Sequence, residues 1–350
     1  MPQATLTTRS LPCAFEGPPV AGKLRQQPED FQVEELLSFE PSGSGEHALI
    51  KVRKRGENTL WVTRQLARVA GVPSRDVGYA GLKDRHAVTT QWFTVGLAGK
   101  LEPDWGACVS DSLEILEVVR HNRKLRPGAV VENRFSIHIR ELKGSREALG
   151  ERLDCVAAAG VPNYFGEQRF GRDGDNVNQA LALFADEIRV RDRKLRGIYL
   201  SAARSWLFNA VLAERVTTKC WNRALPGDVM ALDGRRAVFL AERLDDTLLR
   251  RVEEHDIHPT GPLWGQGEPM TVGAPADLEK RVASEHETLA DGLIRAGMKQ
   301  ERRALRLRVR NLKWALGTHG IELSFGLQAG SFATAVLREL TDYRSAPHLD

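Results

Sequence analysis

Short runs in which apolar and polar residues alternate with period two recur along this chain, and each predicts a strand with one buried and one wet face. Phe31 and Val33 alternate with polar neighbours between Pro28 and Leu37, which reads as an early strand and leaves Glu34 and Glu35 as surface charges. Ala48 to Arg53 predicts a second strand, running into the basic cluster Lys51, Arg53, Lys54 and Arg55. Val77 to Ala80 is short and apolar, Thr90 to Leu97 alternates, and Phe135, Ile137 and Ile139 share one face of a further strand. Leu305, Leu307 and Val309 alternate with Arg306, Arg308 and Arg310, which predicts one strand with an arginine face. Ile321 to Leu327 predicts the last strand.

Helices are predicted where the apolar period lengthens. Asn58 or Thr59 caps a helix bearing Val62, Leu66, Val69 and Ala70, which ends at Gly71 before Pro73. Ser145 starts a helix with Leu149, Leu153 and Val156 on one face, stopped by Gly160-Val-Pro162. Ser201 is read as the cap of a helix bearing Trp206, Leu207, Ala210 and Val211, and Ser331 as the cap of a terminal helix. Asp233-Gly234 between apolar runs signals a hairpin.

A chain of 350 residues is long enough for two domains. Its formal net charge is only +4, yet its 50 Lys and Arg residues are clustered, which favours an acidic partner. Cys13, Cys108, Cys155 and Cys220 form no Cys-x-x-Cys pair, which argues against a zinc ribbon or redox motif and fits a reducing cytoplasm. His255 and His258 stand at i, i+3 without a third ligand at metal spacing, so no metal is expected. Met1 to Ala14 lacks the apolar core of a secretory signal, and no window approaches the roughly 18 apolar residues of a membrane span. The expectation is a soluble, cytoplasmic protein.

The most informative stretch is the polar loop Leu82-Lys-Asp-Arg-His86 between two predicted strands. One carboxylate lies there among three potentially cationic side chains. This setting favours an ionised Asp84, able to act as nucleophile or base, although a solvated turn has the same composition.

Gly81-Leu-Lys-Asp-Arg-His-Ala-Val-Thr-x-Gln91 resembles the active-site signature of the TruD family of tRNA pseudouridine synthases. Further segments resemble the family in its order: Phe31-x-Val-Glu-Glu35, Gly45-Glu-His47, Asn58-Thr59, Gly160-Val-Pro-Asn-Tyr-Phe-Gly-Glu-Gln-Arg-Phe-Gly171, Pro259-Thr-Gly-Pro-Leu-Trp-Gly265 and Gly330-Ser-Phe-Ala-Thr-x-Val-x-Arg-Glu-Leu340. The resemblance implies an α+β fold. A pseudouridine-synthase-type catalytic domain with a mainly antiparallel sheet flanked by helices would span 1–159 and 303–350, and an inserted α/β TRUD domain would span 160–302.

It also implies isomerisation of a tRNA uridine, uridine-13 next to the D loop, with Asp84 as catalytic residue and no cofactor. Asn133 would lie beside Asp84, Phe135 would stack on the target base, and Lys83, Phe332 and Lys23 would complete the substrate site. Glu132 stands where the family pattern has Gly. Because neighbouring side chains on a strand diverge, Lys23 or Arg338 is expected to supply the cation beside Asp84. Arg123, Lys124 and Arg126 in one loop and Arg306, Arg308 and Arg310 in the arginine-faced strand are expected along the RNA backbone. The expected partner is tRNA, with no membrane or protein partner and a monomeric state.

A non-catalytic structured-RNA-binding protein would share the basic and aromatic features, but it would have no need of Asp84 and Asn133. A carboxylate glycosidase would need a second acid about 5 to 9.5 Å away, for which no paired-acid motif stands out.

Overall fold

The computed structural model describes residues 10–171 and 174–345. The chain divides into two compact units. One, the sheet unit, comprises the described residues of Pro19–Gly150, Val309–Gly330 and Thr341–Asp350. The other, the helical unit, comprises those of Met1–Pro18, Glu151–Arg308 and Ser331–Leu340. The fold is α+β, with mostly antiparallel pairing, as the resemblance implies.

The sheet unit is built on a ten-stranded sheet. Its main path runs Arg310–Gly317, Gly320–Gln328, Val130–Gly144, Phe31–Leu37, Val88–Gly96, His47–Arg55 and Leu113–His121. Val20–Leu24 pairs antiparallel with Val130–Gly144 and parallel with Thr341–Ser345, and Val77–Tyr79 pairs with Val88–Gly96. Period two is clearest in Val130–Gly144, where Phe135, Ile137 and Ile139 are buried and Arg134 and Ser136 exposed. The strand Val88–Gly96 departs from the expected half-wet pattern, for residues 89 to 95 are all buried. It lies inside the sheet, with Phe93 and Val95 in the core that also holds Val62 and Leu66, and Trp92 packed with Leu49 and Leu125.

Val62 and Leu66 belong to the helix Thr59–Val69, which the Asn58 side chain caps by accepting from Trp61 N at 2.8 Å. Its chain turns away at Gly71, in the left-handed region at φ 59°. The helix Arg146–Ala159 begins with Ser145 Oγ accepting from Ala148 N at 3.1 Å, as its sequence predicts.

In the helical unit, Asp175–Phe184, Arg193–Thr217 and Glu287–Arg295 pack around Phe170, Trp206, Phe208, Leu212 and Leu293. The long helix begins earlier than its sequence suggests. Asp192 caps it, accepting from Lys194 N and Leu195 N, and Ser201 lies in its interior. Asp228–Leu232 and Val238–Ala241 form the predicted hairpin, with Gly234 at φ 72° in its turn.

The single arginine-faced strand is not formed. Glu301–Ala304 pairs with Ile257–Leu263, Arg306–Leu307 with Val161–Pro162, and Arg310–Gly317 with Gly320–Gln328. Leu305, Leu307 and Val309 are buried as their period requires, but the ladder partner changes twice along the run, so no common face survives.

Candidate active site around Asp84

The Asp84 loop joins Val77–Tyr79 to Val88–Gly96 and is braced by side chains from three other segments. Lys83 N donates to Thr59 Oγ1 at 3.0 Å, and Thr59 Oγ1 donates to Gln91 Oε1 at 3.0 Å. Gln91 Nε2 in turn donates to Gly81 O at 3.1 Å. Lys54 Nζ donates to the backbone oxygen of Asp84 at 2.8 Å. The loop's geometry is therefore fixed by the helix Thr59–Val69 and the strand ends beneath it.

The Asp84 carboxylate, about one-third exposed, accepts Arg25 Nη2 at 2.7 Å. Arg25 is largely buried, and its guanidinium lies 4.1 Å over the Phe31 ring. The chain leaves the strand Val20–Leu24 through Arg25 in the left-handed conformation, φ 58°. This corrects the expected cation. Lys23 pairs instead with Glu141 at 2.7 Å, and Arg338 donates to Leu11 O at 2.6 Å and lies over Tyr164.

Lys83 is directed at Glu35. Its ammonium makes a short contact with Glu35 Oε1, while Glu35 Oε2 accepts Trp92 N at 3.1 Å. Glu35 has no exposed side-chain surface, which corrects its reading as a surface charge. It follows Phe31 and Val33 on the buried side of its strand. Glu34, on the other face, pairs with Lys51 at 2.7 Å.

Lys54 is likewise buried, at the end of the face that carries Ala48, Ile50 and Val52. Burial pushes its ammonium down to about 8, with Asp84 drawing it back up and Lys83 depressing it further.

Asn133 pairs in register with Glu35 on one side and Leu327 on the other, which brings it beside the Lys83–Glu35 pair. Its Oδ1 is buried without a hydrogen-bond partner. An orphaned buried acceptor costs about 1 to 3 kcal/mol, so it asks for an explanation.

Phe135, two residues on and buried, stacks on Phe325 at 5.4 Å and meets Phe31 edge-on at 6.1 Å. Asp84, Arg25, Phe31 and Phe135 thus form one continuous row. Gly326 leaves room for Glu132, since a Cβ there would lie 2.5 Å from Glu132 Oε1, and the register against Phe31–Leu37 shifts beside it, between Val130 and Glu132. Its carboxylate meets Arg310 at 3.2 Å.

The other expected residues are dispersed. Phe332 lies in the helical unit, tilted against Phe165 at 6.4 Å. Arg123 and Arg126 are exposed in their loop, Arg123 over the Phe39 ring, and Lys124 donates to Arg75 O. Arg306 is buried, donating to His258 Nδ1 at 2.8 Å and to the carbonyls of Val252 and Ile257. Arg308 meets Asp233 at 3.3 Å. The expected guanidinium track is therefore three separately engaged arginines. His258 Nε2 lies 3.1 Å from Asp233 Oδ1, so both of its ring nitrogens have protein partners.

Among the described residues no helix is long and apolar enough to cross a membrane. The family description "tRNA pseudouridine synthase D (TruD)" matches residues 12–178 and 177–340. The tRNA pseudouridine synthase D of Methylococcus capsulatus is 51% identical over 323 residues, covering 92% of this chain and 91% of that one. That of Nitrosococcus oceani is 49% identical over 333 residues, covering 94% and 93%. A crystal structure of the putative tRNA pseudouridine synthase D of Methanosarcina mazei has the same fold, with TM-score 0.70 over 94% of this chain and 95% of that one at 21% identity. With a match along both halves and about half of all residues shared over nine-tenths of each chain, this chain belongs to the tRNA pseudouridine synthase D family.

Proposed function

We propose that this tRNA pseudouridine synthase isomerises uridine-13, next to the D loop, with Asp84 as its catalytic group and without a cofactor. The observation that carries this reading is the Arg25–Asp84 ion pair at 2.7 Å on a loop whose backbone is held from three sides. A carboxylate kept in one position by a guanidinium is set up to react with a ribose that comes to it.

The reaction breaks the bond from C1' to N1, turns the uracil and joins C1' to C5, with the C5 proton lost and one proton gained at N1. Atoms and oxidation state are conserved, so no redox group is required. Asp84 either attacks the sugar or removes a ribose proton, and both routes need the ionised carboxylate. Arg25 orients that carboxylate, and its stacking on Phe31 restricts where the guanidinium can go. Lys54 fixes the Asp84 backbone, and the Lys83–Glu35 pair fixes the residue before it.

The base must leave its stack to react, at a cost of a few kcal/mol that contacts within the site offset. Asn133 Oδ1, without a protein partner, suits the N3–H of uracil, whose edge alternates acceptor, donor and acceptor. Phe135, on the same strand face two residues away, is assigned to the base ring. Arg123 and Arg126, both exposed, are assigned to backbone phosphates. Catalysis is assigned to the unit that carries Asp84.

The test is site mapping. A tRNA transcript is incubated with the full chain, treated with carbodiimide and read by primer extension. A single stop one nucleotide 3' of position 13, absent when that uridine is replaced by cytidine, is the expected result. Conversion at another position would overturn the assignment of the site, and binding without conversion of any transcript would favour a non-catalytic RNA-binding protein.

A further inference from the structure

In the helical unit, Arg169 and Arg303 share one aromatic ring. The Arg303 guanidinium lies 4.2 Å over the Phe165 ring, and that of Arg169 lies 5.3 Å from the same centroid. Arg303 Nη2 donates to Asn163 Oδ1 at 2.7 Å, and Arg169 Nη1 to Ser201 Oγ at 3.0 Å. The Nε of each is buried without a partner. Among the described residues neither guanidinium meets a carboxylate within ion-pair distance.

Three other arginines with buried or partly buried side chains are neutralised by carboxylates. Arg302, the neighbour of Arg303 in sequence, pairs with Glu279 at 2.8 Å; Arg215 pairs with Asp228 at 2.8 Å; and Arg140 pairs with Asp30 at 2.7 Å. Buried Arg306 is met by His258 and two backbone carbonyls, whereas Arg169 and Arg303 share one ring and each leaves a buried Nε without a partner. Burial pushes Arg303 down to about 10, and the charge of Arg169 depresses it further. Two desolvated like charges on one ring, with only neutral acceptors, are costly unless an anion completes the site.

We propose that Arg169 and Arg303 form a phosphate-binding site that takes one backbone phosphate of the tRNA. Arg169, Arg303 and Ser201 each keep some exposed surface while both Nε atoms are buried, so an anion would approach from the Nη side. Planar guanidinium groups held by stacking present their outward N–H donors in a fixed plane, which matches the oxygens of a phosphodiester. The aromatic surface of Phe165 is already covered by the guanidinium groups, which favours a phosphate here over a base. The inference rests on tRNA as the substrate and is independent of the role of Asp84.

The test uses the full chain, its Arg169→Gln and Arg303→Lys variants, and a tRNA transcript. Affinity is measured by filter binding between about 50 and 200 mM salt, and thermal stability with and without inorganic sulfate. Loss of one phosphate contact lowers the slope of log affinity against log salt by about 0.7 to 0.9 in magnitude. That decrease is expected for Arg169→Gln with its melting temperature kept or raised, because a like-charge repulsion is relieved. Sulfate is expected to stabilise the wild type more than Arg169→Gln.

A folded Arg169→Gln protein with the wild-type slope overturns the proposal. So does loss of the sulfate effect with an unchanged slope, which would mark a small-anion site without RNA. Should Arg303→Lys fail to fold, the Arg169→Gln slope still decides. An Asp84 variant that kept its activity would overturn the catalytic assignment and leave this measurement standing.

Discussion

Arg25 Nη2 reaches Asp84 Oδ2 at 2.7 Å across 59 positions of sequence, and the same guanidinium lies over Phe31. The Asp84 carboxylate is thereby tied to the aromatic row beneath it. Arg25→Met is expected to lower single-turnover rate about 100-fold, the order expected for a misplaced reacting group, while Arg25→Lys restores much of it. Affinity for tRNA should change only a few-fold. A variant with wild-type turnover would show that the pair does not orient Asp84.

Lys54 predicts a pH dependence of stability. Its ammonium is held down to about 8, against about 10.4 in an unfolded chain, so between these values the unfolded state binds more protons. Stability should therefore rise with pH from about 8 to 10.4, relieving a penalty of roughly 3 kcal/mol that is fully present below 8. Denaturant titrations across that range should show the rise in wild type and its loss in Lys54→Met. Parallel curves would contradict the buried position of the amine.

Glu35→Gln should destabilise by about 3 to 5 kcal/mol, because it leaves the Lys83 ammonium largely buried without its partner. The double variant Glu35→Gln, Lys83→Met should recover part of that loss. Additive effects in the cycle would mean that the two side chains do not interact.

Phe135 is expected to affect both packing and turnover, and size separates the two. Phe135→Ala should cost about 3 to 5 kcal/mol of stability, as expected for a ring packed between Phe31 and Phe325. Phe135→Leu keeps much of the volume. If the ring meets the extruded base, turnover in that variant should still fall about 5- to 150-fold, the equivalent of 1 to 3 kcal/mol, with tRNA affinity nearly unchanged. Normal turnover in Phe135→Leu would leave Phe135 a core residue only.

The strands that carry Glu35, Lys54 and Phe135 and the helix Thr59–Val69 are legible from period and capping, and the Asp84 loop from its charge density between two strands, whereas Val20–Leu24 is not. Glu35 and Lys54 were legible too. Phe31, Val33 and Glu35 follow period two, as do Ala48, Ile50, Val52 and Lys54, and in each series the final charge lies on the buried face. Taking charge as a sign of exposure puts Glu35 on the surface, and membership of a basic cluster says nothing of the burial of Lys54. Arg25 had no such signal, since its role depends on a left-handed backbone and a distant partner. The arginine row failed because alternation specifies a face only while one ladder continues, and the run 301–310 changes partner twice.

The central claim is that the carboxylate of Asp84 performs the chemistry, and Asp84→Asn tests it most directly. The amide is nearly isosteric and its oxygen can still accept from Arg25 Nη2, so the fold and tRNA binding should survive, whereas nucleophilicity and basicity are lost. Pseudouridine formation is followed by carbodiimide treatment and primer extension on one transcript, with binding measured alongside. The account predicts no detectable conversion at wild-type affinity; conversion at a rate near that of wild type would contradict it.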